Sequence, residues 1–202
     1  MHRSEEPGDP ERDAPPPLPG ELDRAELQHV EDGAGPLFHR RYSVAIRDTP
    51  LSPEELMSQV SGDPDRVAPK ELASFQKVHG PHGAMHVNDE YVVRMPAPWD
   101  GPVRVVAVTP TSFRLVTLAS HLEAGQIEFR AERDGALLRF TIESWARNGD
   151  RFAELLYARL RMAKEVQLHV WTSLLERVVA LARGRLTGGI EIRTRRVEVD
   201  DG

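Results

Sequence analysis

The apolar positions along the chain predict a series of β-strands that ends in one long helix. From Asp150 to Arg183 the sequence contains neither Gly nor Pro. Apolar residues recur in this stretch at helical spacing and form one stripe: Phe152, Leu156, Leu160, Ala163, Val170, Leu174, Val178 and Leu181. Asp150 is suited to cap the helix, and Gly184 is suited to follow its last turn. Because a one-sided stripe has to be buried, we expect this helix to pack against a sheet.

Two alternating segments directly before the helix predict a β-hairpin. They are Gln126–Glu132 and Ala136–Ala146, and the Asp134–Gly135 pair between them is a strong hairpin signal. With these two residues at the centre of the turn, three apolar pairs face each other: Phe129 with Phe140, Ile127 with Ile142, and Ala131 with Leu138. One face of the hairpin is then apolar, and the other carries charged residues.

The segments further upstream predict more strands and two short helices. Arg40–Ile46 alternates and is predicted as the first strand. Ser52 is suited to cap a helix that runs from Pro53 to about Ser61, and Pro69–Phe75 is predicted as a second short helix. Three further strands are predicted: His86–Met95, Val103–Val108 and Phe113–Ser120.

The inward face of the segment 113–120 is left open by the pattern. An even-length loop across 122–125 would place one set of residues on the apolar face: Val116, Leu118 and Ser120. An odd-length loop would place the other set there: Phe113, Leu115 and Thr117. A slip of one residue exchanges the two faces of a strand, so both alternatives stand.

The composition divides the chain into three parts. Residues 1–36 contain seven of the sixteen prolines and little to bury, so they are predicted to be a disordered arm. Residues 37–184 are predicted to form one folded domain. Residues 185–202 form a tail whose alternation indicates a strand that either adds to a sheet edge or to a neighbouring subunit, or stays loose.

Charge and composition exclude several classes of function. A net charge of −6 with no basic stripe argues against nucleic-acid binding, and the absence of cysteine excludes disulfides and thiolate metal sites. No apolar run is long enough to span a bilayer, and the polar first residues do not resemble a signal peptide, so we expect a cytoplasmic protein. No glycine-rich phosphate loop is present, and no cofactor is predicted.

One stretch of the sequence carries a family resemblance. It reads Ser112-Phe113-Arg114, Thr117-Leu118, His121-Leu122-Glu123-Ala124-Gly125 and then Phe129. This resembles a Thr-Leu … Gly-His-x-Glu-x-Gly-Glu-x-x-Phe pattern found in one of the domain-of-unknown-function families of the START-like (SRPBCC) superfamily. Here Ser120 replaces the Gly before the His, and Gln126 replaces the Glu after the second Gly. In that pattern a Ser lies near the end of the final strand, and Ser144 holds that place.

The resemblance implies an α+β helix-grip fold over about residues 38–183. In this fold a curved antiparallel β-sheet wraps around a long C-terminal α-helix, with two short helices after the first strand. A hydrophobic pocket lies between sheet and helix. Relatives in the superfamily bind lipids, sterols or polyketides, and some catalyse cyclisation or dehydration.

Several polar residues are candidates for a site in such a pocket. Gln167 interrupts the apolar stripe of the helix, and Arg159 lies at the edge of that stripe, so both are predicted to bind a ligand. Ser144 and Thr117 are predicted to line the pocket with hydroxyl groups. Each of these residues is also of a type that commonly binds backbone or water instead.

His121 and Glu123 are the candidates for catalysis. They lie two residues apart at a predicted hairpin tip, where they would form an acid–base pair at the pocket mouth. The alternative is that they only shape the turn. His79, His82 and His86 lie close together, but the loop-like sequence between them does not align metal ligands, so no metal site is predicted.

Three functions are compatible with these observations. The first is the binding of a small hydrophobic or amphipathic molecule between sheet and helix. The second is an enzyme of the cyclase, dehydratase or hydrolase type that uses polar residues in the same cavity. The third is a protein-interaction domain whose pocket is filled by its own side chains. The sequence does not indicate the ligand or the oligomeric state.

Overall fold

A computed structural model of the chain describes residues 1–20, 22, 24–95, 100–149 and 157–199, with side chains throughout these ranges except at 157–165. Within them the chain forms nine strands and two α-helices. The strands are β1 (His2–Pro7), β2 (Gly33–Arg47), β3 (Ser74–His79), β4 (Glu90–Arg94), β5 (Asp100–Thr109), β6 (Ser112–Thr117), β7 (Glu123–Asp134), β8 (Leu137–Gly149) and β9 (Arg185–Val197). The helices are α1 (Pro53–Gly62) and α2 (Tyr157–Leu181), and two 3₁₀ turns cover Val30–Asp32 and Pro64–Arg66.

All nine strands belong to one sheet with the order β1-β9-β2-β8-β7-β6-β5-β4-β3. Neighbouring strands are antiparallel except β1 and β9, which are parallel. The inner face of the sheet packs against both helices, and α2 contributes Leu174, Leu175 and Val178 to the core. The predicted helix-grip fold is therefore confirmed.

The two helices begin and end for identifiable reasons. Ser52 and Glu55 form the reciprocal capping box that the sequence predicts for α1. Helix α2 is described from Tyr157 and, with 25 residues, is about 37 Å long. The predicted N-cap, Asp150, lies outside the described residues. After α2 the chain turns at Arg183, and Gly184 packs so closely on Ile46 that no larger residue would fit.

The β7–β8 hairpin has the predicted faces but a different register. Phe129 pairs with Ile142 and Ala131 with Phe140, so the predicted pairing is shifted by two residues. The turn is centred on Gly135 and Ala136, and only Gly135 has positive φ, at 61°. This is the φ pattern of a II′ turn, which requires Gly at its first central position. Because a two-residue shift preserves the faces, the apolar face still points inward.

Strand β6 uses the odd alternative. Phe113 pairs with Phe129 and Leu115 with Ile127 on the inner face, and the two phenyl rings stack with their centroids 4.7 Å apart. The opposite face of β6 is buried as well. Val116 belongs to a second apolar cluster on the outer side of the sheet. Both faces of this strand are apolar because both are covered, which is why the sequence left the choice open.

The second short helix predicted at Pro69–Phe75 is wrong. The amides of Leu72 and Ala73 both donate to the carbonyl of Pro69, which closes a single turn. The chain then becomes β3, and the amide of Phe75 donates to the Asp65 carboxylate at 2.6 Å. Pairing of β3 with β4 at the sheet edge thus prevails over the local helix signal.

The described residues of the arm (1–20, 22 and 24–36) differ from the predicted disorder, because the structure folds them against the sheet. Strand β1 pairs with β9, and Leu18, Leu22 and Leu27 pack on the outer apolar cluster. Side chains of the sheet also hold the arm's backbone: Arg114 donates to the carbonyl of Pro17 at 3.2 Å. The leucines of the arm are buried or partly buried against the outer apolar cluster of the sheet. Within the tail, Arg185–Val197 forms β9, an internal strand between β1 and β2.

A charged cluster on the outer face fixes the arm, and we call Asp13, His39 and Glu143 the arm anchor. His39 Nδ1 lies 2.9 Å from Asp13 Oδ1, and Nε2 lies 2.8 Å from Glu143 Oε1. Asp13 is completely buried. Burial opposes the charge on His39, but hydrogen bonds to Glu143 and Asp13 outweigh it and raise the pKa of His39 above its ordinary value. The imidazole stacks on Trp145 with a centroid distance of 5.1 Å.

Candidate functional site

The inner face of the sheet changes character along its strands. At the end near α1 it is filled with fully buried apolar side chains, such as Ile46, Leu138 and Phe140. At the opposite end several apolar side chains are only half-buried: Phe38, Ile127, Leu168 and Trp171. The grip between sheet and helix is therefore closed at one end and less completely packed at the other.

Three polar residues meet at this less packed end, and we call Arg40, Glu123 and Gln167 the polar cluster. Gln167 Nε2 donates to Glu123 Oε2 at 2.9 Å. Arg40 Nη1 lies 3.6 Å from Glu123 Oε1, which makes an ion pair too long for a hydrogen bond. The cluster thus joins β2, β7 and α2 across the space between sheet and helix.

Arg40 is held in this place by its position in the strand. It alternates with Tyr42, Val44 and Ile46 on the inner face of β2, so its side chain has to point inward. Its guanidinium lies over the ring of Phe38, 4.6 Å from the centroid. Only 7% of Arg40 is exposed, and Nη1 has no hydrogen-bond partner within the described ranges.

The neighbours of Arg40 along the inner face are polar or hydroxyl-bearing. Ser144 is directly opposite Arg40 on β8, and Thr194 is opposite it on β9, and both are buried. Tyr42 follows Arg40 on the same face, and burial raises the pKa of its phenol above the ordinary value. Tyr42 therefore stays uncharged and can serve only as a neutral hydroxyl near the cluster.

The motif between β6 and β7 shapes the backbone that presents Glu123. Thr117 Oγ1 accepts from the amide of Gly125 at 3.0 Å and lies 3.0 Å from the carbonyl of Gln28. A side chain at Gly125 would overlap the carbonyl of Trp145 on β8. Only glycine allows this approach, so the Thr and Gly of the motif have a structural explanation.

His121 also binds backbone and does not contact the Glu123 carboxylate directly. Its Nδ1 accepts from the amide of Glu123 at 2.9 Å, which assigns the proton of the neutral ring to Nε2. Burial lowers the pKa of His121 below its ordinary value, and the nearby charge of Glu123 only partly offsets this. The ring is packed against Gly101, which leaves no room there for a side chain.

The structure therefore brings together some of the predicted site residues and separates others. Gln167, Glu123 and Ser144 lie around Arg40, whereas Thr117 and His121 are engaged by backbone. The side chain of Arg159 lies outside the described part of the chain.

Sequence reasoning missed two residues, Arg40 and Trp171. Arg40 was detectable, because the alternation of β2 places it on the same face as Tyr42 and Val44. Trp171 lies one helical turn after Gln167, and its indole packs edge-on against Phe129 at 5.8 Å between centroids. Its Nε1 is buried without a hydrogen-bond partner among the residues the structure describes.

The loop with three histidines is organised by a lysine. Lys77 Nζ donates to the carbonyls of Pro81 and Ala84 at 2.8 and 3.0 Å, and to the Asp89 carboxylate at 2.7 Å. Within the described ranges no group of three or more His, Asp or Glu side chains is placed to hold a metal ion. His82 and His86 are exposed to solvent.

Known structures share this architecture. The chain resembles a hypothetical protein from Helicobacter pylori (TM-score 0.52, 12% identity, covering 83% of this chain and 95% of that one). It also resembles the di-domain ARO/CYC StfQ from the steffimycin biosynthetic pathway (TM-score 0.51, 10% identity, 73% and 51%). A third is major latex-like protein 151 from Panax ginseng (TM-score 0.50, 11% identity, 71% and 97%).

The sheet, the helix and these likenesses show that the chain has the helix-grip fold. More narrowly, a family model described as a domain of unknown function (DUF1990) matches residues 66–177, and the chain belongs to this family. No curated protein matches the chain. No helix in the described part of the chain is both long and apolar enough to cross a membrane.

Proposed function

We propose that the protein binds a small hydrophobic or amphipathic molecule between the sheet and α2, at the end that holds the polar cluster. The observation that carries this proposal is the buried guanidinium of Arg40. Its Nη1 has no hydrogen-bond acceptor in the described part of the chain and lies beside half-buried apolar side chains. Ligand pockets usually combine apolar walls with a few oriented polar groups. Arg40, Glu123 and Gln167 would orient the ligand, and Phe38 and Ile127 would contact its apolar part.

The fold likenesses support the same proposal in a general way. The helix-grip arrangement leaves a sheet and a helix to enclose a molecule, and StfQ, with this fold, belongs to a biosynthetic pathway. The chemical identity of this chain's own ligand is not contained in that likeness. The predicted cytoplasmic location, the lack of nucleic-acid partners and the catalytic roles of His121 and Glu123 stay predictions.

Native mass spectrometry of the protein purified from its own host tests the proposal, because a bound small molecule adds mass to the folded protein. A variant that fills the site should abolish that added mass. Ile127→Trp places a large side chain on the inner face beside Ser144, whereas Val108→Trp is a matched control at an exposed position. Both variants should fold, and only Ile127→Trp should lose the ligand. A protein that carries no ligand and whose melting temperature ignores a panel of lipids and polyketides would contradict the proposal.

The same experiment separates the two alternative functions. A protein-interaction domain with a filled pocket would show no bound molecule, and Ile127→Trp would unfold it by overpacking. An enzyme would release a chemically altered molecule, so the mass of a bound or released compound would differ from that of the compound supplied. No contact in the described residues favours either alternative over binding.

A further inference from the structure

The charges and hydrogen-bonding groups of the polar cluster restrict which polar group of a bound ligand can lie there. Among the described residues, the buried Nη1 of Arg40 has no hydrogen-bond acceptor, and native proteins rarely leave such a group unfilled. The facing Oε1 of Glu123 makes only the 3.6 Å contact with Arg40 among the described residues. An unfilled donor and an accessible acceptor therefore face each other at the less packed end of the grip.

The cluster is electrically neutral as a whole. Arg40 carries a positive charge, Glu123 carries a negative charge, and Gln167 is neutral and donates to the other oxygen of Glu123. A carboxylate ligand could accept from Arg40, but it would come within a few ångströms of the Glu123 carboxylate and be repelled. A ketone or ester oxygen would accept from Arg40 and leave Oε1 of Glu123 without a donor.

A hydroxyl group satisfies both residues. An oxygen at about 2.8 Å from each of two atoms that are 3.6 Å apart has normal hydrogen-bond lengths to both. It would accept from Arg40 Nη1 and donate its own proton to Glu123 Oε1. The apolar neighbours Phe38 and Ile127 would contact the hydrocarbon to which the hydroxyl is attached.

We infer that the molecule bound in the grip is uncharged at its head and carries a hydroxyl that bridges Arg40 and Glu123. This inference rests on the proposed binding function and adds the class of ligand to it. It assigns to Glu123 a role in selecting against anions, and to Arg40 the role of anchoring the hydroxyl.

Three probes with one skeleton test this: 2-naphthol, 2-naphthoate and 2-methylnaphthalene, each titrated at neutral pH by its own fluorescence. The hydroxyl should make 2-naphthol bind at least about tenfold more tightly than 2-methylnaphthalene, because hydrogen bonds to charged groups are the stronger ones. The carboxylate should make 2-naphthoate bind more weakly than 2-naphthol.

Two variants separate the two roles. Arg40→Met should remove the preference for 2-naphthol over 2-methylnaphthalene, because the donor to the hydroxyl is lost. Glu123→Gln should reverse the selection, since Arg40 then faces no negative charge, and 2-naphthoate should gain about tenfold in affinity. Glu128→Gln, on the outer face of the same strand, is the matched control and should change nothing. Circular dichroism of each variant reports whether it is folded. If Arg40→Met does not fold, the affinity of Glu123→Gln for 2-naphthoate still tests the inference.

The outcomes are distinguishable. Tighter binding of 2-naphthoate than of 2-naphthol by the natural protein would overturn the inference, and so would a Glu123→Gln variant without any gain for 2-naphthoate. Equal binding of all three probes would leave hydrophobic binding intact and remove the head-group selection. Binding of none of them would contradict the proposed function itself, and the inference would fall with it.

Discussion

The arm anchor predicts that the attachment of residues 9–18 to the sheet depends on pH. His39 contacts a carboxylate with each ring nitrogen, so it is a donor to both only while it is protonated. The pKa of His39 is raised in the folded state. Its contribution to the free energy of unfolding is therefore fully present at pH values below about 6.5, the pKa in the unfolded chain. The contribution is lost as the pH rises through the higher folded-state pKa.

The two carboxylates act in the opposite direction. Burial opposes their charge, but hydrogen bonds hold the pKa of Asp13 well below its usual range, and the bond from His39 lowers that of Glu143. Their contribution is complete above the unfolded values of about 4 and is lost as the pH falls below them. The arm should therefore be most firmly attached between about pH 5 and 6.5.

The expected loss of stability on replacing His39 depends on the hydrogen bonds and ion pairs that the two carboxylates keep. His39→Gln is neutral and can donate to only one carboxylate. Removing one partner from a buried ion pair costs about 3–5 kcal/mol, and the lower end applies because Arg195 still reaches Asp13 at 3.0 Å and Arg130 reaches Glu143 at 3.4 Å. We expect a loss of about 3 kcal/mol near pH 5.5, which corresponds to about 6–12 °C in Tm for a chain of this size.

Chemical denaturation near pH 5.5 and near pH 8.5 measures this difference. His82→Gln, at an exposed position, is the control and should match the natural protein at both pH values. The free energies of unfolding of the natural protein and of His39→Gln should differ less at the higher pH, where His39 is neutral. Hydrogen exchange of residues 9–18 should rise in parallel. A gap of the same size at both pH values, or no gap near pH 5.5, would refute the argument.

Three further predictions concern backbone groups that side chains or close packing hold in place. Gly125→Ala should destabilise the protein by more than about 3 kcal/mol in urea denaturation, because its Cβ would overlap the Trp145 carbonyl; a loss below 1 kcal/mol would contradict the geometry. Thr117→Val should cost about 1–3 kcal/mol, since the amide of Gly125 loses its acceptor, while Thr109→Val at an exposed position should cost less. Lys77→Met should speed proteolysis of the 80–86 loop, whose carbonyls lose their donor, without changing probe binding; unchanged cleavage would argue against this role.

The sequence revealed most of the fold because the periodicity of the strands and of α2 records which faces are buried. It placed the hairpin two residues out of register because both Asp134 and Gly135 are turn residues, and only the backbone shows which begins the turn. The arm was misjudged since its few leucines and Asp13 are buried only against the finished sheet. A segment that buries its few apolar residues only against another part of the chain has the composition of a disordered segment.

The site was partly predictable. Gln167 stood out as a polar residue in an apolar stripe, and its contact with Glu123 confirms that it faces the sheet. The sequence did not reveal that the Glu123 carboxylate contacts Gln167 and Arg40, because the spacing of two residues in a chain does not determine the direction of their side chains. The ion pair with Arg40 joins residues more than eighty positions apart, and only the sheet brings them together.

The pairing of β1 with β9 has a consequence for how the protein is made. His2 pairs with Glu191, so β1 is synthesised long before β9, the strand with which it pairs. Until β9 has been made, β1 has no strand with which to pair, which prolongs the time during which a nascent chain can aggregate. Synthesis of β9 is thus required before β1 can be attached to the sheet.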